Sequence, residues 1–177
     1  MHILQVAPYF PPTWAYGGIP RIVDGLSRAL VQKGHEVTVL TTDAYDVEQR
    51  SGLDGDRDHH GVRVLTVRNL SNRAAYAHQL FTPTGVREAL NRLERNVDVM
   101  HLHGHRHLLN NAAVRWAAGK GVPYVLTANG TLLRHEQKVG IKWFWDQLVA
   151  RRIPAGAAKL IAVSAADVAR HRSAGID

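Results

Sequence analysis

Cysteine is absent from the 177 residues, which removes disulfide frameworks and thiolate zinc sites and leaves a reducing compartment compatible with the chain. Long apolar runs are missing too. Nowhere do about 18 consecutive apolar residues occur, so no membrane-spanning helix is expected. The opening stretch, MHILQVAPYFPP, has no basic n-region, and its apolar run ends at Pro8, too soon for a signal h-region. Export is therefore not expected, and a cytoplasmic location is. Acidic residues fall short of basic ones, 15 against 22, giving a net charge of +7 and a pI near 10.1. Such a balance attracts polyanions, whether nucleic acid, anionic lipid or phosphorylated small molecules. No RNP-like aromatic pattern, basic arm or zinc-finger spacing accompanies the scattered Arg and Lys, so nucleic acid is not an expected partner. Internal repeats and low-complexity tracts are absent as well.

What remains is a globular composition, 45% hydrophobic and 21% charged, on a length that suits one core spanning residues 1–177. Short β-rich apolar runs recur: HILQVA at 2–7, EVTVLTT at 36–42, VRVLTV at 62–67, VDVMHLH at 97–103, PYVLTA at 123–128 and KLIAVS at 159–164. Six strands of this kind, alternating with helical patterns, have no polar face to show and imply a sheet covered on both sides. The fold class is α/β, with a mainly parallel sheet of about six strands.

The intervening helices are marked by apolar spacing. Ile19, Ile22, Val23, Leu26 and Leu30 follow one another behind Pro20, with Gly34 as a C-terminal stop. Val86, Leu90 and Leu93 mark a second helix, entered through Thr82 and Pro83. Leu109, Ala112, Ala113 and Trp116 mark a third, ending at Gly119. Ile141, Phe144, Trp145, Leu148 and Val149 form a fourth stripe, with Trp143 on its opposite side and Lys138, Lys142, Arg151 and Arg152 around it. That composition occurs on helices that meet anionic membranes and equally on helices packed against a sheet with solvated charges. Ser164 and Asp167 have capping-box-like spacing and open a last helix. The polar stretches 43–61 and 68–81 read as surface loops.

Chemistry is expected at the carboxyl ends of the strands, where ligands bind in doubly wound sheets. Gly17 and Gly18 precede the first helix, so their backbone can approach an anion closely, and Arg21 lies one turn in. The spacing is not the GxGxxG dinucleotide fingerprint, and a connector that needs positive φ is the other reading. His101, His103, His105 and His107 alternate through MHLHGHRH. Period two would put them on one face of a continued strand, as in a metal site, yet no Asp or Glu lies inside the run. The alternative is that some are buried hydrogen-bonders and others line a polar cleft. Asn129 and Gly130 follow the fifth strand, either to meet a sugar hydroxyl or simply to turn the chain.

Together, ILQVAPYFPPTWAYGGIPRIV, KGHEVTVLTT, VDVMHLHGHRHLLN, GVPYVLTANGTLLR and AAKLIAVSAAD resemble, in order and spacing, the N-terminal domain of glycosyltransferase family 4. The resemblance runs over essentially the whole chain. It implies a Rossmann-like half of a GT-B enzyme that transfers a sugar from a nucleotide-sugar donor, with retention, to a glycan, lipid-linked or small-molecule acceptor. It further implies that Gly17, Gly18 and Arg21 serve the diphosphate, that His103, Gly104, His105, Arg106, Gly130 and Ser164 line the acceptor side, and that Asn129 sits near the reacting sugar. No cofactor or catalytic metal is implied. The leaving diphosphate accepts the acceptor's proton, so protein groups act by orientation and electrostatics. Much of the family has His where this chain has Asn129, and Asn donates and accepts hydrogen bonds but exchanges no proton near neutral pH. The family's donor domain carries two Glu separated by seven residues, a spacing found nowhere here, so that domain is expected to lie outside this chain and the chain alone to be inactive. Separately from the resemblance, Trp143 and the basic residues of the fourth stripe raise the expectation of weak attraction to anionic membranes, with a peripheral position on the inner face. The competing readings are a stand-alone domain that binds a phosphorylated metabolite and a histidine-rich metal-dependent hydrolase.

Overall fold

A computed structural model describes residues 1–14, 17–53, 55–78, 80–93, 96–104, 107–129 and 152–173. In chain order the elements are β1 (His2–Val6), α1 (Ile19–Gln32), β2 (Glu36–Thr42), β3 (Gly55–His59), β4 (Val62–Val67), α2 (Asn72–His78), α3 (Val86–Asn91), β5 (Val99–His103), α4 (Leu108–Lys120), β6 (Tyr124–Thr127), α5 (Arg152–Gly156), β7 (Lys159–Ile161) and α6 (Ala165–Ser173).

The strands form one sheet in the order β3-β4-β2-β1-β5-β6-β7. Every pairing is parallel except β3 with β4. The chain winds outward from β1 through β2 to β4, then crosses to the other side of β1 and continues through β5, β6 and β7. The winding direction thus reverses between β1 and β5, which opens the crevice where such sheets take ligands.

Alternation along the strands sends one set of side chains to each face. Leu4, Val6, Leu40, Leu65, Met100, Leu102 and Leu126 pack with Leu90 of α3 and with Leu109, Ala113 and Ala117 of α4. On the other face Val37, Val39, Val62 and Val64 pack with Val23 of α1 and with Phe10. Both layers exclude water, which is why the central strands read as nearly continuous apolar runs.

Among the described residues the sheet has seven strands, the six expected runs and one more. Within the stretch expected to be loop at 43–61, Gly55–His59 forms an antiparallel edge strand on β4. Its residues, GDRDH, alternate without an apolar face, because an edge strand needs none. Its hairpin closes over His60 and Gly61, both at positive φ, 54° and 80°, as a tight two-residue turn requires. In the second expected loop, Asn72–His78 is helical. Seven residues are too few for apolar periodicity to be visible, and the start is held by Ser71, whose Oγ accepts from the Ala74 N–H at 3.2 Å. Ile22 is exposed rather than packed, since the buried face of α1 is formed by Pro20, Val23, Asp24 and Ser27. α4 continues past Gly119 to Lys120. The fourth apolar stripe, from Lys138 to Arg151, lies outside the described residues.

Candidate functional site

Four connections leave the carboxyl edge near the switch point. At a strand spacing of about 4.8 Å, the segments after β5, β6 and β7 begin roughly 5, 10 and 14 Å from the one after β1. The segment after β1 is anchored by burial: Tyr9, Phe10 and Thr13 have almost no exposed surface. Thr42 Oγ1 donates to the Pro8 carbonyl at 2.6 Å, tying this loop to the end of β2.

Gly17 stands at φ +88°, where an L side chain is strained, and its N–H donates to the Trp14 carbonyl at 3.3 Å. Gly18 is the N-cap of α1 at φ −81° and ψ −24°, with no side-chain cap on the helix and Pro20 in its first turn. Among the described residues, a Cβ built on either glycine meets nothing within 4 Å. The two glycines therefore differ: the first needs its backbone freedom, while the second leaves open space in front of an uncapped helix end. Arg21 is exposed and its guanidinium carbon lies 5.6 Å from the centre of the Trp14 ring, a cation–π distance.

The histidine run divides. His101 and His103 share one face of β5 and their ring centroids are 4.1 Å apart. His101 Nε2 bonds Thr127 Oγ1 at 2.7 Å, and His103 Nε2 bonds Gln5 Oε1 at 2.7 Å. Burial pushes the His101 pKa down to about 4, and burial together with the neighbouring His101 holds His103 well below the ordinary imidazole value. His103, expected to line the acceptor side, is 1% exposed and lies beneath the crevice rather than in it. His107 is also buried. It meets Tyr9 and Phe81 edge-on, with centroids 6.4 and 5.3 Å away, and this aromatic floor under the loops was not foreseen from the sequence. His105 and Arg106 lie outside the described residues. Among the described residues no three His, Asp or Glu side chains come together as a metal site. The two rings best placed for one are already bonded to Gln5 and Thr127.

Gly104 ends β5 at φ +73°, and a Cβ there would sit 2.9 Å from His107 Nε2, so both conformation and packing require glycine. Its N–H donates to the Thr127 carbonyl at 2.8 Å, and its carbonyl accepts from Asn110 of α4. Asn129 adopts φ +50°, a left-handed position that Asn tolerates better than most residues. Its Nδ2 donates to the Thr127 carbonyl at 3.4 Å, while its Oδ1 is buried without a partner among the described residues. Gly130 falls outside them. Ser164 caps α6: its Oγ accepts from the Asp167 N–H at 3.2 Å, and Asp167 Oδ2 accepts from the Val163 N–H at 3.4 Å. The hydroxyl expected on the acceptor side therefore has a structural task, and it is the most distant of the set.

Sequence reasoning missed a polar clamp on the β2–β4 side. Asp43, directly after β2, pairs with Arg50 and accepts from the Asn69 N–H at 2.6 Å. Arg50 also donates to the Asn69 carbonyl at 2.8 Å, Asn69 Oδ1 accepts from the Thr82 N–H at 2.8 Å, and Asn72 donates to the Gln49 carbonyl at 2.7 Å. The visible signal was an acid one residue and an amide two residues past the ends of two apolar strands, Thr42-Asp43 and Val67-Arg68-Asn69.

A family model described as a glycosyl transferase 4-like domain matches residues 17–177. No curated protein matches the sequence. Among solved structures, a sucrose-phosphate synthase from Thermosynechococcus elongatus is similar in fold, with a TM-score of 0.62 and 14% identity over 97% of this chain. The match covers 44% of that structure's chain, so the present chain spans less than half the length of the enzyme it is similar to.

Proposed function

Since the chain belongs to the glycosyl transferase 4-like family and has the α/β architecture of a GT-B half, we propose that it is the acceptor-side half of a two-domain glycosyltransferase. On this reading a second, nucleotide-binding domain supplies the donor, and transfer proceeds with retention to a glycan, lipid-linked or small-molecule acceptor in the cytoplasm. The observation that carries the proposal is the uncapped start of α1 behind Gly17 and Gly18, with open space in front of it, on the strand that flanks the switch point. First-turn N–H groups with no side-chain cap among the described residues and the positive end of a helix dipole suit a diphosphate oxygen, and Arg21, resting on Trp14, adds a full charge nearby.

The remaining roles follow from burial. Asn129 holds its side chain at the end of β6 with one acceptor atom unpaired among the described residues, which suits a polarising contact to the reacting sugar or its acceptor and no proton transfer. His103 acts through position: bonded to Gln5, it fixes the end of β5 and thereby Gly104. His105, Arg106 and Gly130 keep their proposed acceptor-side roles, and Ser164 contributes by shaping the start of α6. No protein nucleophile is needed, since the departing diphosphate can take the acceptor's proton on the same face, and the protein's share is orientation and charge stabilisation.

The test is turnover of nucleotide-sugars by the 177-residue chain alone and by the same chain in its two-domain form. The chain alone should fold cooperatively and show no transfer, with activity restored only in the two-domain protein. Robust turnover by the chain alone would contradict the division of labour.

A further inference from the structure

β3 has no apolar face, yet its side chains divide between the two sides of the sheet. Arg57 and His59 stand opposite Val64 and Val62, the valines that pack with Val23 of α1 and with Phe10. Both therefore lie on the side that α1 covers. Asp56 and Asp58 alternate to the other side, where Asp56 pairs with Arg63. Asp58 Oδ1 accepts from the Gly61 N–H at 3.2 Å and so helps to close the hairpin.

Arg57 Nη2 donates to the Pro11 carbonyl at 2.8 Å, in the loop between β1 and α1. No carboxylate among the described residues pairs with this guanidinium, so a backbone carbonyl of the loop is the acceptor it has there. His59 meets Phe10 edge-on, with ring centroids 5.3 Å apart, and its Nε2 bonds Asp24 Oδ1 of α1 at 3.1 Å. The other oxygen of Asp24 pairs with Arg28 at 3.1 Å.

One edge strand thus grips the chain at Pro11 and at Asp24, on either side of Gly17, Gly18 and Arg21. Among the described residues, the backbone bonds inside the loop are short in range: the Thr13 N–H donates to the Phe10 carbonyl at 3.1 Å, Trp14 to Pro12 at 2.9 Å and Gly17 to Trp14 at 3.3 Å. They shape the loop without fixing where it stands relative to the sheet. Burial of Tyr9, Phe10 and Thr13 seats its first half, and β3 adds directional ties before and after the glycines. We infer that Arg57 is a positioning residue, which holds the β1–α1 loop so that the backbone of Gly17 and Gly18 meets the donor diphosphate in a fixed place. Hydrogen-bond donors stabilise developing charge best when they are aimed beforehand, and a displacement of about 1 Å can cost on the order of 100-fold in rate. The inference rests on the reading of the α1 start as a phosphate site and names the element that aims it.

The experiment compares variants of the two-domain enzyme by kcat, by KM for each substrate and by melting temperature, with rates expressed per folded molecule. Arg57→Met keeps the aliphatic stem and removes the bond. It should lower kcat/KM for the nucleotide-sugar about 10-fold to 100-fold and leave KM for the acceptor unchanged. An ammonium can also make a single hydrogen bond to a carbonyl, so Arg57→Lys should recover most of that loss. Arg63→Gln removes the pair with Asp56 on the other side of the same hairpin and should leave turnover unchanged. Hydrogen exchange at the Thr13, Trp14 and Gly17 amides should quicken in Arg57→Met and not in Arg63→Gln. A lower melting temperature with normal turnover per folded molecule would show a merely structural bond and overturn the proposal, as would a loss that Arg57→Lys does not reduce. Gly18→Val separates this role from the phosphate reading. If Gly18→Val is impaired and Arg57→Met is not, the positioning role alone falls, whereas normal turnover in Gly18→Val removes the phosphate site and the role with it.

Discussion

His101 and His103 show how one residue type takes on different tasks within a few positions. Both are neutral and buried, bonded to Thr127 and Gln5, and burial lowers their pKa values, that of His101 to about 4. The unfolded chain binds protons on these rings near pH 6.5 and the folded chain does not. Stability is therefore complete above about pH 6.5 and falls as the pH drops from there towards 4, because the unfolded state gains protons that the native state refuses. The His101 share is on the order of 3 kcal/mol across that window. Thermal or urea unfolding between pH 8 and 5 should show the decline, and His101→Phe should make it shallower even if the variant is less stable overall. An unchanged slope in His101→Phe would contradict this account. The alternation of histidines was legible in the sequence, and so was the possibility that some are buried hydrogen-bonders. Which rings are buried was not, because it depends on Gln5 and Thr127, residues on neighbouring strands that come into register only in the folded sheet. Ser164 carries the same lesson, since its spacing to Asp167 announced a cap more reliably than a ligand.

Among the elements, the apolar strands and amphipathic helices were readable because both sheet faces are covered. β1, β2, β4, β5, β6 and β7 lie inside the expected runs. The failures, β3 and α2, sit at one corner and share a cause. β3 is a polar edge strand held by hairpin geometry, and α2 is a single short helix held by Ser71 and by the Asp43–Arg50–Asn69 clamp. Neither has an apolar period to reveal it. The clamp should then contribute measurably to the corner's stability. Asp43→Ala leaves the buried Asn69 N–H without its acceptor and the Arg50 guanidinium without its carboxylate, and should cost about 3 kcal/mol. Asp43→Asn keeps an oxygen for Asn69 and should cost distinctly less. Urea denaturation of both variants checks the order, and equal losses would show that the bond to Asn69 does not matter.

For the whole molecule, order and spacing of five segments gave the family resemblance, and the family model match and the architecture agree with it. The site is legible as an edge, with its residues spread over roughly 14 Å of strand ends, and less so as a list, because the sequence could not separate Gly17 from Gly18 or put His103 under the surface. In the proposed function, the start of α1 faces a phosphate. Gly18 tests it cleanly, since its φ of −81° suits any residue and, among the described residues, a Cβ there meets nothing within 4 Å. In the two-domain enzyme, Gly18→Val should keep a near-normal melting temperature, allowing about 1 kcal/mol for a poorer N-cap. If a phosphate oxygen approaches that backbone, the added side chain displaces it. Losing one preorganised hydrogen bond to developing charge corresponds to about a 100-fold to 1000-fold fall in turnover. The measurement is turnover per folded molecule for Gly18→Val beside its melting temperature. A steep kinetic loss with the fold intact is the predicted result, and near-normal turnover would contradict the phosphate reading of this loop.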